Sequence, residues 1–366
     1  MTDPRSLVRK QVLEIKPYQP GKPIEEAERE LGIGEVIKLA SNENPLGPSE
    51  LALQAVRDRL KEMCLYPDGA AYEVRRALSE KLGVKETQVV LGFGSCELIE
   101  LVLKAFLNPG EQVVSSRYAF AYFKLATQVI GGENRIVKDR NFGHDLEAMA
   151  DAITPKTKVV FIANPNNPTG TMNTNGEVER FMARAPDHTI VVFDEAYYEF
   201  VDREDYPQTL RWVKAGRNVI ILRTFSKIYG LAGMRIGYAI AREELIWALN
   251  QVRQVFNTTR LAHIAAVAAL RDEEHVKRTL EVNRKGQEYL YSEFAKLGLF
   301  YLPSQANFVL VDLKVDAERI FQKLLREGIV VRALAGYELP TFIRVTVGTP
   351  EQNQRFVRAL RKVMGD

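Results

Sequence analysis

Thr224-Phe225-Ser226-Lys227-Ile228-Tyr229-Gly230-Leu231-Ala232-Gly233-Met234-Arg235-Ile236-Gly237-Tyr238 is the stretch on which the reading of this chain turns. It follows a short apolar run at 219–222 and leads into another at 236–241, both with the character of strands buried on two faces. A lysine just past the first run therefore stands at the carboxyl end of a strand, where open α/β sheets bind ligands. Gly230, Gly233 and Gly237 fall within eight residues, a density that suggests close backbone approach or unusual dihedrals. A lone lysine belongs on a solvated surface. This setting argues the reverse for Lys227, because a buried amine titrates low and a neutral amine is what Schiff-base chemistry needs.

Three other segments occupy equivalent places. Asn164-Pro165-Asn166-Asn167-Pro168-Thr169-Gly170 directly follows an apolar run at 158–163; by itself it reads equally well as a plain turn. Asp194-Glu195-Ala196-Tyr197 follows the run 190–193, and its first carboxylate could cap a turn or pair with a protonated ring nitrogen. Gly92-Phe93-Gly94-Ser95-Cys96-Glu97 leads from a strand at 88–91 into a helix at 96–106, whose first backbone N–H groups could hold a phosphate. Each signal is modest alone. All four fall at strand ends, in one part of the chain.

Working outward, apolar runs at 88–91, 112–115, 158–163, 190–193, 219–222 and 236–241 alternate with amphipathic helical patterns, which predicts an α/β fold with a mostly parallel sheet. Residues 1–48 read as an extended arm with a short helix at 24–31, and 49–242 as a large domain. Residues 243–366 read as a long helical stretch, broken near Asn257 and Asp272, and a small α+β domain. The 50 Lys and Arg against 47 Asp and Glu show no basic excess of the kind that nucleic acid or a membrane surface requires. No run of 18 apolar residues occurs, and Cys64 and Cys96 cannot build a disulfide framework, so a reducing cytoplasm is the expected setting. His144, His188, His263 and His275 are scattered without metal-ligand spacing, and no metal is expected.

Taken together, these motifs resemble the fold-type-I pyridoxal-phosphate aminotransferases, and among them the histidinol-phosphate aminotransferases. The resemblance spans nearly the whole chain. It rests on the lysine motif, on Lys38-Leu39-Ala40-Ser41-Asn42-Glu43-Asn44-Pro45-Leu46-Gly47-Pro48, on Tyr66-Pro67-Asp68-Gly69, on Ser304-Gln305-Ala306-Asn307-Phe308 and on Arg344-Val345-Thr346-Val347-Gly348-Thr349. The resemblance implies a large cofactor domain with a mostly parallel sheet, a small C-terminal domain and a homodimer with a shared site. Lys227 would carry pyridoxal 5′-phosphate as a Schiff base and shuttle the substrate proton. Asp194 would face the pyridine nitrogen, Tyr197 and Asn167 the phenolic oxygen, and Phe120 the ring. Ser226, Arg235 and the backbone at Ser95-Cys96 would hold the phosphate, with Tyr66 reaching the neighbouring subunit's phosphate. The Asn167-Pro168 bond would be cis. Tyr18, Asn44, Arg332 and Arg344 would meet the substrate.

Many members carry Asp where this chain has Cys96, a departure that leaves the backbone amide in place. The implied reaction exchanges an amino group between histidinol phosphate and 2-oxoglutarate. An aromatic-amino-acid transaminase or a phosphothreonine decarboxylase would keep the same cofactor residues. A non-catalytic binding protein would have no need of both Lys227 and Asp194. A dinucleotide-binding dehydrogenase is set aside because Gly92-Phe93-Gly94 lacks the third glycine of that motif.

Overall fold

The computed structural model describes residues 3–15, 17, 29, 32 and 35–365. Tyr18 and nearly all of the short helix expected at 24–31 lie outside the described residues. After β1 (Ile37–Lys38), strands β2 (Val89–Gly92), β3 (Gln112–Ser116), β4 (Glu133–Val137), β5 (Thr157–Ala163), β6 (Ile190–Asp194), β7 (Val219–Thr224) and β8 (Gly237–Ala241) follow. The last seven form one sheet in the order β2-β8-β7-β6-β5-β3-β4. Its neighbours are parallel except where β8 runs antiparallel to β7 and to β2.

Register matters most for the site. Ala163 pairs with Asp194, Asp194 with Leu222, and Thr224 with Gly237, which in turn pairs with Gly92. The ends of β5, β6, β7 and β2 are thus brought to one edge, and the four motifs begin there. Alternation along each strand feeds two cores. Val191, Phe193, Val219 and Ile221 join one, and Val192, Ile220, Leu222 and Phe161 the other. Phe161 is fully buried and stacks on Phe123, ring centroids 4.4 Å apart. Phe161→Ala should cost about 3–5 kcal/mol, the range for truncating a buried aromatic ring. Chemical unfolding of the cofactor-free protein checks this, and a loss under about 1 kcal/mol would contradict the packing described.

One strand departs from the sequence reading, and the direction of another goes beyond the mostly parallel sheet it predicted. β4, Glu-Asn-Arg-Ile-Val, is an edge strand with two half-buried and three exposed residues. It lacks the apolar run that marks a strand buried on both faces, and only its pairing with β3 defines it. β8 is the one antiparallel member, a direction that composition does not encode.

The long helical stretch divides into Glu243–Val252, Arg260–Arg271 and Glu273–Lys296. Thr259 caps the second helix and Asp272 the third, each accepting a backbone N–H through its side chain. These caps account for the breaks. Strands β9 (Phe300–Leu302), β10 (Phe308–Asp312), β11 (Ile329–Val330), β12 (Arg332–Leu334) and β13 (Leu339–Thr346) come next. An antiparallel sheet in the order β12-β13-β10-β9 packs with Leu290, Phe294, Phe356 and Leu360 of the flanking helices. β11 instead pairs in parallel with β1. Residues 39–42 run on beside the small sheet, where the Thr346 N–H donates to Leu39 O at 2.9 Å and Asn307 Nδ2 to Asn42 O at 3.0 Å.

Candidate active site

A cavity of about 440 Å³ opens at the carboxyl edge of the large sheet, walled on its far side by β12 and β13. Ser95, Cys96, Phe120, Asn167, Asp194, Tyr197, Ser226, Lys227, Arg235, Arg332 and Arg344 all line it. A larger open depression of about 900 Å³ around Trp247 takes none of these residues.

Lys227 follows β7 by three residues, and its Nζ donates to Ser41 O at 3.0 Å. Burial, chiefly, and then the nearby Arg344 charge lower its pKa to about 8. Asp194 ends β6, 5% exposed, and accepts the Ala196 N–H at 3.2 Å. Burial pushes its carboxyl up to about 7, with Glu195 adding to the rise and Lys227 opposing it. Tyr197 is buried beneath Lys227, whose Nζ lies 5.8 Å from the ring centroid. Its hydroxyl accepts a hydrogen bond of 2.8 Å from Asn42 Nδ2.

The helix Gly94–Phe106 begins just after β2, so its first N–H groups, including those of the cavity-lining Ser95 and Cys96, are unpaired by the helix itself. Arg235 adopts a left-handed conformation at φ 53° and brings Nη1 to 3.4 Å from Ser226 Oγ and 2.9 Å from Ala232 O. A Cβ on Gly237 would stand 2.9 Å from Arg223 O and 3.1 Å from Ser95 N, so glycine is what lets β8 approach this helix start. Gly237→Ala should therefore weaken cofactor binding by about tenfold or more, by displacing the amides. A titration by fluorescence quenching measures it, and an unchanged affinity would contradict this role. Burial raises the Cys96 thiol above its usual range, which keeps the thiolate scarce.

Arg344 is buried on β13, and its guanidinium donates to Asn167 Oδ1 and Ala40 O. Arg332 stands directly opposite on β12. Asn167-Pro168 is cis, and so is Asn164-Pro165. Two other residues sit elsewhere. Asn44 is buried but does not line the cavity; its Nδ2 donates to Ile228 O at 2.9 Å and Thr279 Oγ1 at 3.2 Å, which fixes the loop to the lysine segment. Tyr66 projects from the surface, 78% exposed and stacked on Phe256 at 4.8 Å, away from this chain's own cavity.

Ser41, Asn42 and Glu43 also line the cavity and were not singled out from the sequence. They belong to the N-terminal motif quoted above, and their position one to three residues before Asn44 was the available signal.

These residues fit pyridoxal phosphate. A guanidinium, a hydroxyl and a helix N-terminus converge on one end, a donor set that suits a phosphate dianion. Asp194 in the same cavity is a carboxyl held partly protonated by burial, and a cationic ring nitrogen beside it would restore its charge. Lys227 lies in the same cavity with an amine that is substantially neutral near pH 8.

Comparison with known proteins agrees. Residues 34–360 match the family described as aminotransferase class I and II. The chain is 51% identical to the histidinol-phosphate aminotransferase of Moorella thermoacetica, over 97% of this chain and 92% of that one. It is 48% identical to histidinol-phosphate aminotransferase 2 of Pseudomonas aeruginosa, over 100% and 99%. The crystal structure of the Sinorhizobium meliloti histidinol-phosphate aminotransferase, in complex with pyridoxal-5′-phosphate, superposes with a TM-score of 0.91 at 29% identity, covering 98% of each chain. The chain belongs to the class I and II aminotransferases, on the histidinol-phosphate aminotransferase branch.

Proposed function

We propose that this protein catalyses the reversible transamination between L-histidinol phosphate and 2-oxoglutarate on one side and imidazole-acetol phosphate and L-glutamate on the other, running in histidine biosynthesis from glutamate toward histidinol phosphate. The observation that carries the substrate is the cross-strand pair Arg332 and Arg344 on the wall of the cavity that holds Lys227. Guanidinium groups grip phosphate and carboxylate oxygens through paired N–H donors, so one pair can serve both substrates by their anionic ends.

Bound pyridoxal phosphate supplies an electron sink for negative charge at the substrate Cα. The chain's residues do the rest. Lys227 is the nucleophile that holds the cofactor, and once released its Nζ takes the proton from Cα and later returns one. Asp194 would hold a negative charge toward the ring nitrogen. Tyr197, steadied by Asn42, and Asn167, steadied by Arg344, would orient the ring's phenolic oxygen. Phe120 would close one side of the cavity against water, and Ser95, Cys96, Ser226 and Arg235, which line the same cavity, would hold the phosphate. We assign substrate contact to Arg332 and Arg344, with Tyr18 acting from the N-terminal segment; Asn44, expected there from the sequence, instead holds the Ile228 backbone and positions that segment.

Capture of the cofactor by Lys227 should follow the neutral amine. Its rate should rise about tenfold per pH unit below pH 8 and level off above it. Arg344→Met removes a positive charge that lowers the amine's pKa, so the limb should move to higher pH. Stopped-flow absorbance tests both, and a flat profile would contradict the assignment.

We further propose a homodimer in the cytoplasm, organised as an arm over 1–48, a large domain over 49–242 and a C-terminal part over 243–366. Exposed Met63, Leu65, Tyr66, Val255 and Phe256 supply an apolar surface of the kind that subunits cover. Tyr66 would then serve the neighbouring site. Among the described residues no helix is long and apolar enough to cross a membrane.

A direct test follows glutamate formation from 2-oxoglutarate with histidinol phosphate, phenylalanine or phosphothreonine. The proposal expects kcat/KM for histidinol phosphate to exceed that for phenylalanine by at least about tenfold, or 1.4 kcal/mol. Preference for phenylalanine, or release of carbon dioxide from phosphothreonine, would move the function to another member of the family.

A further inference from the structure

Behind the cavity, on the opposite face of the sheet, a charged pair is sealed from solvent. Arg223 donates to Glu195 Oε2 through Nε at 2.9 Å and reaches the same oxygen through Nη2 at 2.8 Å, with side chains 6% and 0% exposed. Thr209 Oγ1 donates to the other carboxylate oxygen, and the guanidinium lies 3.5 Å from the centroid of the Tyr198 ring. Replacing such a pair with apolar residues is often neutral for stability, so its presence calls for another explanation.

Its place in the sheet supplies one. Glu195 directly follows Asp194 at the end of β6, and Arg223 lies four residues before Lys227 near the end of β7. The Glu195 N–H donates to Leu222 O at 2.8 Å, the last backbone bond between the two strands before they diverge toward Asp194's turn and the lysine loop. From there on the Arg223–Glu195 contact is the charged tie between them, beside the Arg223–Tyr198 stack and shared apolar packing. Side-chain alternation puts this contact on the face away from Asp194, so neither group touches the cavity.

We infer that Arg223 and Glu195 are positioning residues for the transamination, a buried clasp that fixes Asp194 relative to Lys227. Asp194 and Lys227 both line the cavity and would act on the same cofactor, and a displacement of about 1 Å between such groups can cost about 100-fold in rate. A forked guanidinium sets both distance and angle, which an apolar contact does not. The inference rests on the aminotransferase reading, and the parent protein's turnover is therefore the control.

The test is the double variant Glu195→Gln/Arg223→Met, which removes both charges at once and leaves neither buried alone. Glu199, the neighbouring carboxyl that burial pushes up to about 7, can stay protonated in it. Three readouts are taken: the thermal midpoint of the cofactor-free protein, kcat with KM, and the pH at which the lysine-linked cofactor's visible band titrates. The midpoint and KM should change little, while kcat falls about tenfold or more and the pH at which the lysine-linked cofactor's visible band titrates is displaced. A clasp that is merely structural would leave kcat and that titration at parental values once the fold is retained, and this result would overturn the inference.

Arg223→Lys decides the matter if the double variant fails to fold, since it keeps the charge and loses the fork. A folded, fully active Arg223→Lys protein with an unshifted band would overturn the inference, and a tenfold loss in kcat with the band displaced would support it. If the parent itself turns over neither histidinol phosphate nor an aromatic amino acid, the failure lies with the proposed function and is separate from the clasp.

Discussion

Lys227→Ala is expected to lower transamination by at least about 10⁴-fold while the protein stays folded. The lysine has two jobs, and the substitution removes both. It is the nucleophile that captures the cofactor, and it is the base positioned to move the substrate's Cα proton. A positioned proton-transfer group alone contributes up to about 10⁴-fold, close to 5.5 kcal/mol of barrier. Its amine sits in the cavity with a pKa lowered to about 8 by burial, so alanine removes a group whose charged form the fold already disfavours. The thermal midpoint of the cofactor-free variant should accordingly match or exceed the parent's. Borohydride reduction followed by peptide mass analysis gives an independent readout: cofactor mass should appear on the Lys227 peptide of the parent and nowhere in the variant. Retained turnover, or cofactor attached to another lysine, would remove Lys227 from its role.

Asp194→Asn should cost about 10³-fold in kcat, toward the upper range for deleting one preorganised electrostatic group. An amide is nearly the same shape but cannot carry the negative charge that keeps a ring nitrogen protonated. The same carboxyl has a second, separable consequence. In the cofactor-free protein its pKa is pushed up to about 7 from an unfolded value near 4, so between those limits the folded state binds more protons than the unfolded one. Stability must then fall as pH rises from about 4 to about 7, by up to about 4 kcal/mol on this group's account. Asp194→Asn should abolish that decline and stabilise the cofactor-free protein at pH 7 while crippling the enzyme. Denaturant unfolding at pH 5 and pH 7 measures the effect. Identical pH dependence in parent and variant would show that the carboxyl is not held as described.

The sequence was most legible where burial is complete. β5, β6 and β7 are buried on both faces apart from half-buried Lys158, so each shows as a continuous run of apolar residues that periodicity alone identifies. Because parallel strands present their carboxyl ends together, the residues just after those runs could be assigned to one site without a structure. β4 was not legible because it is an exposed edge whose only strand signal is its partner.

Contacts that join distant segments were equally hidden. Asn42 reaches Tyr197 across 155 positions and Ser41 O meets Lys227 across 186, and no local pattern encodes either. Asn44 and Asn42 show the limit of motif reading most clearly. They are the same residue type two positions apart, yet Asn42 lines the cavity while Asn44 turns inward to hold the Ile228 backbone.

The most direct measurement of the central claim is the visible absorbance of the purified, cofactor-loaded protein before and after histidinol phosphate, and again after 2-oxoglutarate. The expected result is loss of the lysine-linked band on adding histidinol phosphate alone and its return on adding the oxo acid, since each half-reaction leaves the cofactor in a different form. A band that ignores histidinol phosphate but responds to phenylalanine would contradict the proposed substrate while leaving the cofactor site intact. A protein that forms no such band even with added pyridoxal phosphate would contradict the account as a whole.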